Sequence, residues 1–145
     1  MAKDRVGVVS GYFNPIHQGH IEYINAAKND CDHLVVIVNN DYQVKLKGST
    51  PFMDARHRAF IVNSLKSVDE VFLSIDEDRS VAKSLRAIIK FHPDSEVVFY
   101  NSGDRNPDTY ESKEASVCKH YGASTKFLDL PKVYSSSELK NSVYY

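Results

Sequence analysis

The 145-residue chain carries almost no net charge: 18 Lys and Arg stand against 19 Asp and Glu, a formal −1. It therefore lacks the global basic field that gathers nucleic acid, and any anion site must be local. Cysteine is scarce. Cys31 and Cys118 lie far apart without a CxxC motif, which argues for two free thiols in a reducing compartment rather than a disulfide framework. No apolar run approaches the length of a membrane span. The stretch VGVVS near the start is too short for a signal peptide, and no N-x-[ST] sequon has a permitted middle residue. Repeats, low-complexity tracts and linkers are missing as well. These absences point away from nucleic acid, membranes and secretion, and towards a soluble cytoplasmic protein. The length suits one domain, 1–145, with a core that needs no staples. The 42% hydrophobic and 26% charged fractions are those of an ordinary globular chain.

What is present alternates. RVGVVS (5–10), HLVVIVNN (33–40), EVFLSI (70–75), EVVFYN (96–101) and STKFLDL (124–130) read as strands; the second is a nearly continuous β-branched run, expected where both faces of a sheet are covered. Between them, 19–29, 54–65, 80–91 and 107–122 have helical spacing, and SSSELKNSV (135–143) reads as a last helix. Ser80 is a candidate N-cap, and Pro107 and Gly122 sit where a helix starts and stops. Residues 40–53 show no clear periodicity. Five β-α steps with short connections predict an α/β fold, a parallel sheet with helices on both faces. Ligands of such sheets bind beyond the carboxyl ends of the strands, where strand order reverses. The segments after the strands are therefore the ones to read for chemistry.

GYFNPIHQGH (11–20) follows the first strand. Gly11 allows a sharp turn and a close approach to a ligand. Gly19 leaves a helix start uncovered, and a helix N-terminus suits phosphate. His17 and His20, three apart, can aim at one place and stabilise phosphoryl charge. They can equally cap the turn, and spacing alone does not choose. No Cys, Asp or Glu lies at ligand spacing nearby, so no metal site is expected there. Lys45 and Lys47 follow the second strand and could neutralise polyphosphate; a solvated basic loop is the bland alternative. Arg56 and Arg58 head a helix, where cations oppose the dipole unless an anion is near. NSGDRNPD brings Gly103, Asp104 and Arg105 after the fourth strand, as a ligand border or an ordinary turn. YSSSELK brings Ser135, Ser136 and Ser137 to a helix start with Glu138 in its first turn, a capping box and another phosphate-ready end.

Taken together, GYFNPIHQGH, VNNDYQVKLKG, HRAFIVNSLKSVDEV, NSGDR and YSSSELK resemble, in order, the HxGH nucleotidylyltransferase superfamily. VNNDYQVKLKG and SIDEDRSV resemble the branch of the heptose-1-phosphate adenylyltransferases. The glycerol-3-phosphate or phosphoethanolamine type of cytidylyltransferase is the competing branch. The resemblance implies a Rossmann-like single domain of about five parallel strands in the order 3-2-1-4-5. It implies transfer of a nucleoside monophosphate from an NTP, with ATP ahead of CTP, to a sugar or polyol phosphate, with release of pyrophosphate. In that reading His17, His20 and Lys47 are catalytic. Gly11, Tyr12, Phe13, Asn14, Gly19, Gly103, Asp104, Arg105, Ser135, Ser136 and Ser137 border the nucleotide and its phosphates. Lys45 and Arg58 meet the substrate, or Arg58 supports the loop. Mg²⁺ comes with the phosphates, and a homodimer is expected. One departure matters. Asn14 stands where the superfamily usually has Asp, and a binding module without turnover is the reading of another class that this favours.

Overall fold

The computed structural model describes residues 4–102, 112–128 and 130. The elements are β1 (Arg5–Gly11), α1 (Gln18–Asn29), β2 (His33–Val38), α2 (Asp41–Leu46), α3 (Ala55–Asn63), β3 (Glu70–Leu73), α4 (Ala82–Phe91), β4 (Glu96–Ser102), α5 (Lys113–Tyr121) and β5 (Ser124–Leu128). All four strand pairings are parallel, and the order is β3-β2-β1-β4-β5. This is the Rossmann-like arrangement expected.

The β-branched runs form strands because both sides of the sheet are covered. On one face Val8, Val35, Ile37 and Phe99 pack with Leu85 and Ile88 of α4 and Cys118 of α5. On the other, Val9, Val36, Val98 and Tyr100 pack with Ile24 and Ala27 of α1 and Val62 of α3. Gly7 is required inside β1, since a Cβ there would come within 2.7 Å of Cys31 Sγ and Tyr100 Cε2. Cys31 and Cys118 are free thiols, as expected. Among the described residues no helix is long and apolar enough to cross a membrane.

Three boundaries differ from expectation, each for a local polar reason. Residues 40–53 contain α2. Its two buried residues are Gln43 and Val44, too few for an apolar period, and reciprocal caps between Asn40 and Gln43 hold its start instead. Ser80 does not occupy the N-cap of α4: Val81 does, without a side-chain cap. The buried carboxylate of Asp76 reaches in from the end of β3 and accepts from the amides of Lys83 at 2.8 Å and Ser84 at 3.0 Å. Helix α5 begins at Lys113, because Ser112 is extended (φ −153°) and its Oγ accepts from Ala115 N; Pro107, the expected start, lies outside the described residues. Gly122 ends α5 in the left-handed region, φ 75°, as its position predicted. The helix expected at 135–143 lies outside the described residues.

Candidate active site

Strand order reverses at β1, which lies between β2 and β4. Beyond the carboxyl ends there, a cavity of about 200 Å³ is lined by Gly11, Tyr12, Asn39, Arg79, Asn101 and Glu114, among others. A larger and more open hollow of about 440 Å³ lies over β2 and β3, between Asn40, Tyr42 and Asp76. The smaller one is at the switch point, where the physics of an open α/β sheet places a ligand.

Helix α1 follows the loop whose first residues, Gly11 and Tyr12, line this cavity, and two histidines build its start. His17 is the N-cap, extended at φ −145° and ψ 177°. Its Nδ1 accepts from Gly19 N at 3.1 Å, and His20 Nδ1 accepts from His17 N at 3.2 Å. This is a capping box made of two imidazoles, a job usually given to Ser or Thr and Glu. A ring nitrogen that accepts carries no proton, so each ring is fixed as the neutral tautomer with its proton on Nε2. The rings stack with centroids 3.8 Å apart and planes 26° from parallel. Partial burial, helped by His17 and Lys47, pushes His20 down to about 3. It is therefore a neutral hydrogen-bond donor across the physiological range. The question left open by the spacing has a double answer. Both rings do cap the turn, and the capping puts the proton of each ring on Nε2.

The loop below is held by side chains that face inward. Phe13 sits at φ 49°, a strained angle for a bulky residue. Its ring is 1% exposed and meets His20 edge-on at 4.9 Å. Gly11 makes this possible, since a Cβ there would come within 2.7 Å of the Phe13 ring. Asn14 is buried. Its Nδ2 donates to Thr50 O at 3.0 Å and its Oδ1 accepts from Phe52 N at 2.5 Å. The orientation is forced, because a carbonyl can only accept and an amide N–H can only donate. An aspartate could make the second bond but not the first. Asn14 thus clamps the 11–20 loop to the segment that follows Lys47.

Arg58 completes the frame. It is 1% exposed; Nε donates to Met53 O, Nη1 to Tyr12 O and Asn39 O, and Nη2 to Asp41 at 2.7 Å. Its guanidinium is engaged with the protein on every nitrogen. Of the two places expected for it, substrate or loop, it occupies the second. Beside it Asn40 Nδ2 donates to Ser74 O and Asp76 O, and buried Gln43 Nε2 donates to Asp78 O and Ser80 O. The loops after β1, β2 and β3 are thereby locked to one another through backbone carbonyls.

The expected residues therefore divide. His17, Gly19 and His20 meet at the start of α1. Gly11 and Tyr12 line the cavity. Lys47 joins them, its Nζ 4.4 Å from the centre of the Tyr12 ring. Phe13, Asn14 and Arg58, expected at nucleotide or substrate, are turned inward: they shape the site rather than face it, because burial and backbone partners consume them. Lys45 stands exposed on α2. Gly103, Asp104, Arg105, Ser135, Ser136 and Ser137 lie outside the described residues. Arg79 and Glu114 on the cavity wall, and the network of Asn39, Asn40 and Gln43, are not among the expected residues. Arg79 stood in SIDEDRSV, after a strand, which was the available signal. Glu114 had none.

A parallel sheet in the order β3-β2-β1-β4-β5, with a helix starting just after its central strand, defines the class as Rossmann-like α/β domains. The profile described as "Cytidylyltransferase-like" matches residues 8–141. The chain belongs to that family. Proteins named "Bifunctional protein HldE" from Bradyrhizobium sp. and Caulobacter vibrioides are 34% and 35% identical over 137 residues, 93% of this chain and 26% of each relative. The chain thus spans about a quarter of their length. A solved lipopolysaccharide core biosynthesis protein from Thermoplasma volcanium superposes with a TM-score of 0.67 at 23% identity, over 90% of this chain and all of that one. A bifunctional NMN adenylyltransferase/ADP ribose pyrophosphatase from Francisella tularensis gives 0.66 at 14% identity, over 97% of this chain and 42% of that one. These two likenesses concern the fold.

Proposed function

We propose that the chain transfers a nucleoside monophosphate from an NTP, with ATP ahead of CTP, to the phosphate of a sugar phosphate. The observation that carries this is the pair of stacked, neutral, Nε2-protonated histidines at the start of α1. The likeness to HldE proteins and the sequence resemblance to heptose-1-phosphate adenylyltransferases support the sugar phosphate as acceptor and ATP as donor. An oxygen of the acceptor phosphate attacks the α-phosphorus, the α–β bridging bond breaks, and pyrophosphate leaves. The nucleophile is already an anion, so no strong base is needed, and catalysis rests on alignment and charge.

The residues divide this work. His17 and His20 donate Nε2–H bonds to phosphate oxygens and, being neutral, lose no proton to them. Positive charge comes from Lys47 and from the N-terminal end of α1. Arg79, on the cavity wall, is placed to meet a phosphate. The expected Mg²⁺ fits a site whose described wall offers one carboxylate, Glu114: it would rest mainly on NTP oxygens and water and neutralise their charge. Asn14 has a structural task in the loop clamp, which accounts for the amide without a loss of turnover.

A pyrophosphate-release assay over the NTPs and a panel of sugar and polyol phosphates tests the reading. Release with ATP and a sugar phosphate is expected; release only with CTP and a polyol phosphate would move it to the cytidylyl branch. Binding without release for any pair would overturn it. His17→Ala and His20→Ala should each lower turnover by roughly 10²–10³, the loss of one preorganised donor.

A further inference from the structure

We propose that His33, Glu70 and His92 form a binding site for a divalent transition-metal ion at the amino end of the sheet, away from the switch point. One ligand atom from each of the three lies within 4.8 Å of the others. His33 Nε2 and Glu70 Oε1 are 3.1 Å apart, and the His33 and His92 rings are 5.7 Å apart, centre to centre. Metal bonds of about 2.0–2.2 Å in a tetrahedron put ligand atoms roughly 3.3–3.6 Å from one another, so the set needs to close by little more than an ångström.

The fold delivers these donors from three rigid places. His33 opens β2 and Glu70 opens β3. Glu70 lies beside Val35 in the register, and Val35 is two residues beyond His33, so all three share one face of the sheet. Helix α4 covers that face through Leu85, Ile88 and Ile89, which cluster with Val35. It ends at Phe91, and its C-cap is His92. The carboxyl end of a helix carries partial negative charge, which favours a cation there. The histidine pair and single carboxylate are the donors of zinc sites that keep one position open. Two imidazoles suit Zn²⁺, Co²⁺ or Ni²⁺ and are poor partners for Mg²⁺ or Ca²⁺. The side chains of His33 and Glu70 are 38% and 45% exposed, so an ion can enter from solvent without opening the fold. A bound ion would tie the end of α4 to the β2–β3 edge. Without one, His33 and Glu70 are an ordinary solvated pair.

The 145-residue chain is titrated with ZnCl₂ by calorimetry and with CoCl₂ by visible absorption, alongside thermal unfolding. One site at this cluster, with a Tm that rises with metal concentration, is expected. His33→Gln and His92→Gln should each weaken binding by at least about tenfold, the least that loss of a ligand should cost when loss of its outer partner costs that much. His57→Gln, an exposed histidine on α3, should leave it unchanged. A His17→Gln/His20→Gln double variant separates the two poles, because the proposed site survives there. Unaltered affinity in His33→Gln and His92→Gln, or loss of all binding in the double variant, would overturn the proposal.

Discussion

The two ends of the sheet use polar residues in opposite ways. At the carboxyl end they are buried and bonded to backbone: Arg58 is 1% exposed, Gln43 0% and Asn14 5%. At the amino end charges pair with each other in solvent: Arg5 with Asp30 and Glu96, and Lys126 with Asp30, with side chains 26–49% exposed. A buried polar group must be fully matched or it destabilises the fold, whereas an exposed pair contributes little either way. The carboxyl end is therefore rigid by necessity. The amino end tolerates change.

The sharpest way to break that contrast is Arg58→Met. It removes four hydrogen bonds, leaving the carbonyls of Tyr12, Asn39 and Met53 without this donor and Asp41 without its ion pair. Water can reach the half-exposed Asp41 carboxylate, but a buried carbonyl left without its donor costs about 1–3 kcal/mol. Urea unfolding should show a shift near that size, with turnover lost in whatever fraction stays folded. A variant with wild-type stability would mean that the three loops do not depend on this frame.

Asn14→Asp comes next. The carboxylate keeps the bond from Phe52 N but faces Thr50 O with no donor, at an expected cost of about 1–3 kcal/mol. Turnover should fall with it, since the clamp fixes the segment after Lys47 against the histidine turn. Unchanged stability and turnover together would show that the amide is not holding the loop.

Much of this was legible in the residues. Strand order followed from resemblance, and the strands themselves from runs such as HLVVIV, because a doubly covered strand has no polar period to confuse it. His17 and His20 were legible as a pair. Their tautomers were not, since those depend on two ring-to-amide bonds formed only when the helix starts. The inward turn of Arg58 was hidden for a similar reason: an arginine at a helix start looks the same whether an anion or three carbonyls await it. Helix α2 was missed because its start is held by Asn40 and Gln43 rather than by an apolar stripe, and Glu114 because α5 brings it to the cavity from far along the chain.

His20 gives a subtler contrast within the carboxyl end. Its pKa is about 3 in the fold against an ordinary 6.5. Between those values the unfolded chain binds a proton that the folded chain does not. Stability from this group is thus complete above about pH 6.5 and is lost as the pH falls towards 3. The ring is not fully enclosed, so the loss between pH 7 and pH 4 should be about 1–2 kcal/mol, below what the whole shift would give. His20→Gln should flatten that part of the acid limb. Parallel limbs for wild type and variant would place the acid sensitivity elsewhere. In NMR the His20 ring signals should not move between pH 5 and pH 8.

The smallest effect is expected at the amino end, and its smallness is what the comparison requires. Lys126 Nζ bonds Asp30 at 2.7 Å, a distance that alone would suggest a strong interaction. Yet the lysine side chain is 49% exposed, and Asp30 also holds Arg5 and the Tyr100 hydroxyl. Removing one of three partners leaves the carboxylate satisfied, and water replaces the ammonium. Lys126→Ala should therefore cost no more than the roughly 0.2–1 kcal/mol of an exposed pair, shrink further at high salt, and leave turnover unchanged. A loss as large as that of Asn14→Asp would mean that short distance outweighs exposure here, and that the amino end, too, is held by its polar contacts.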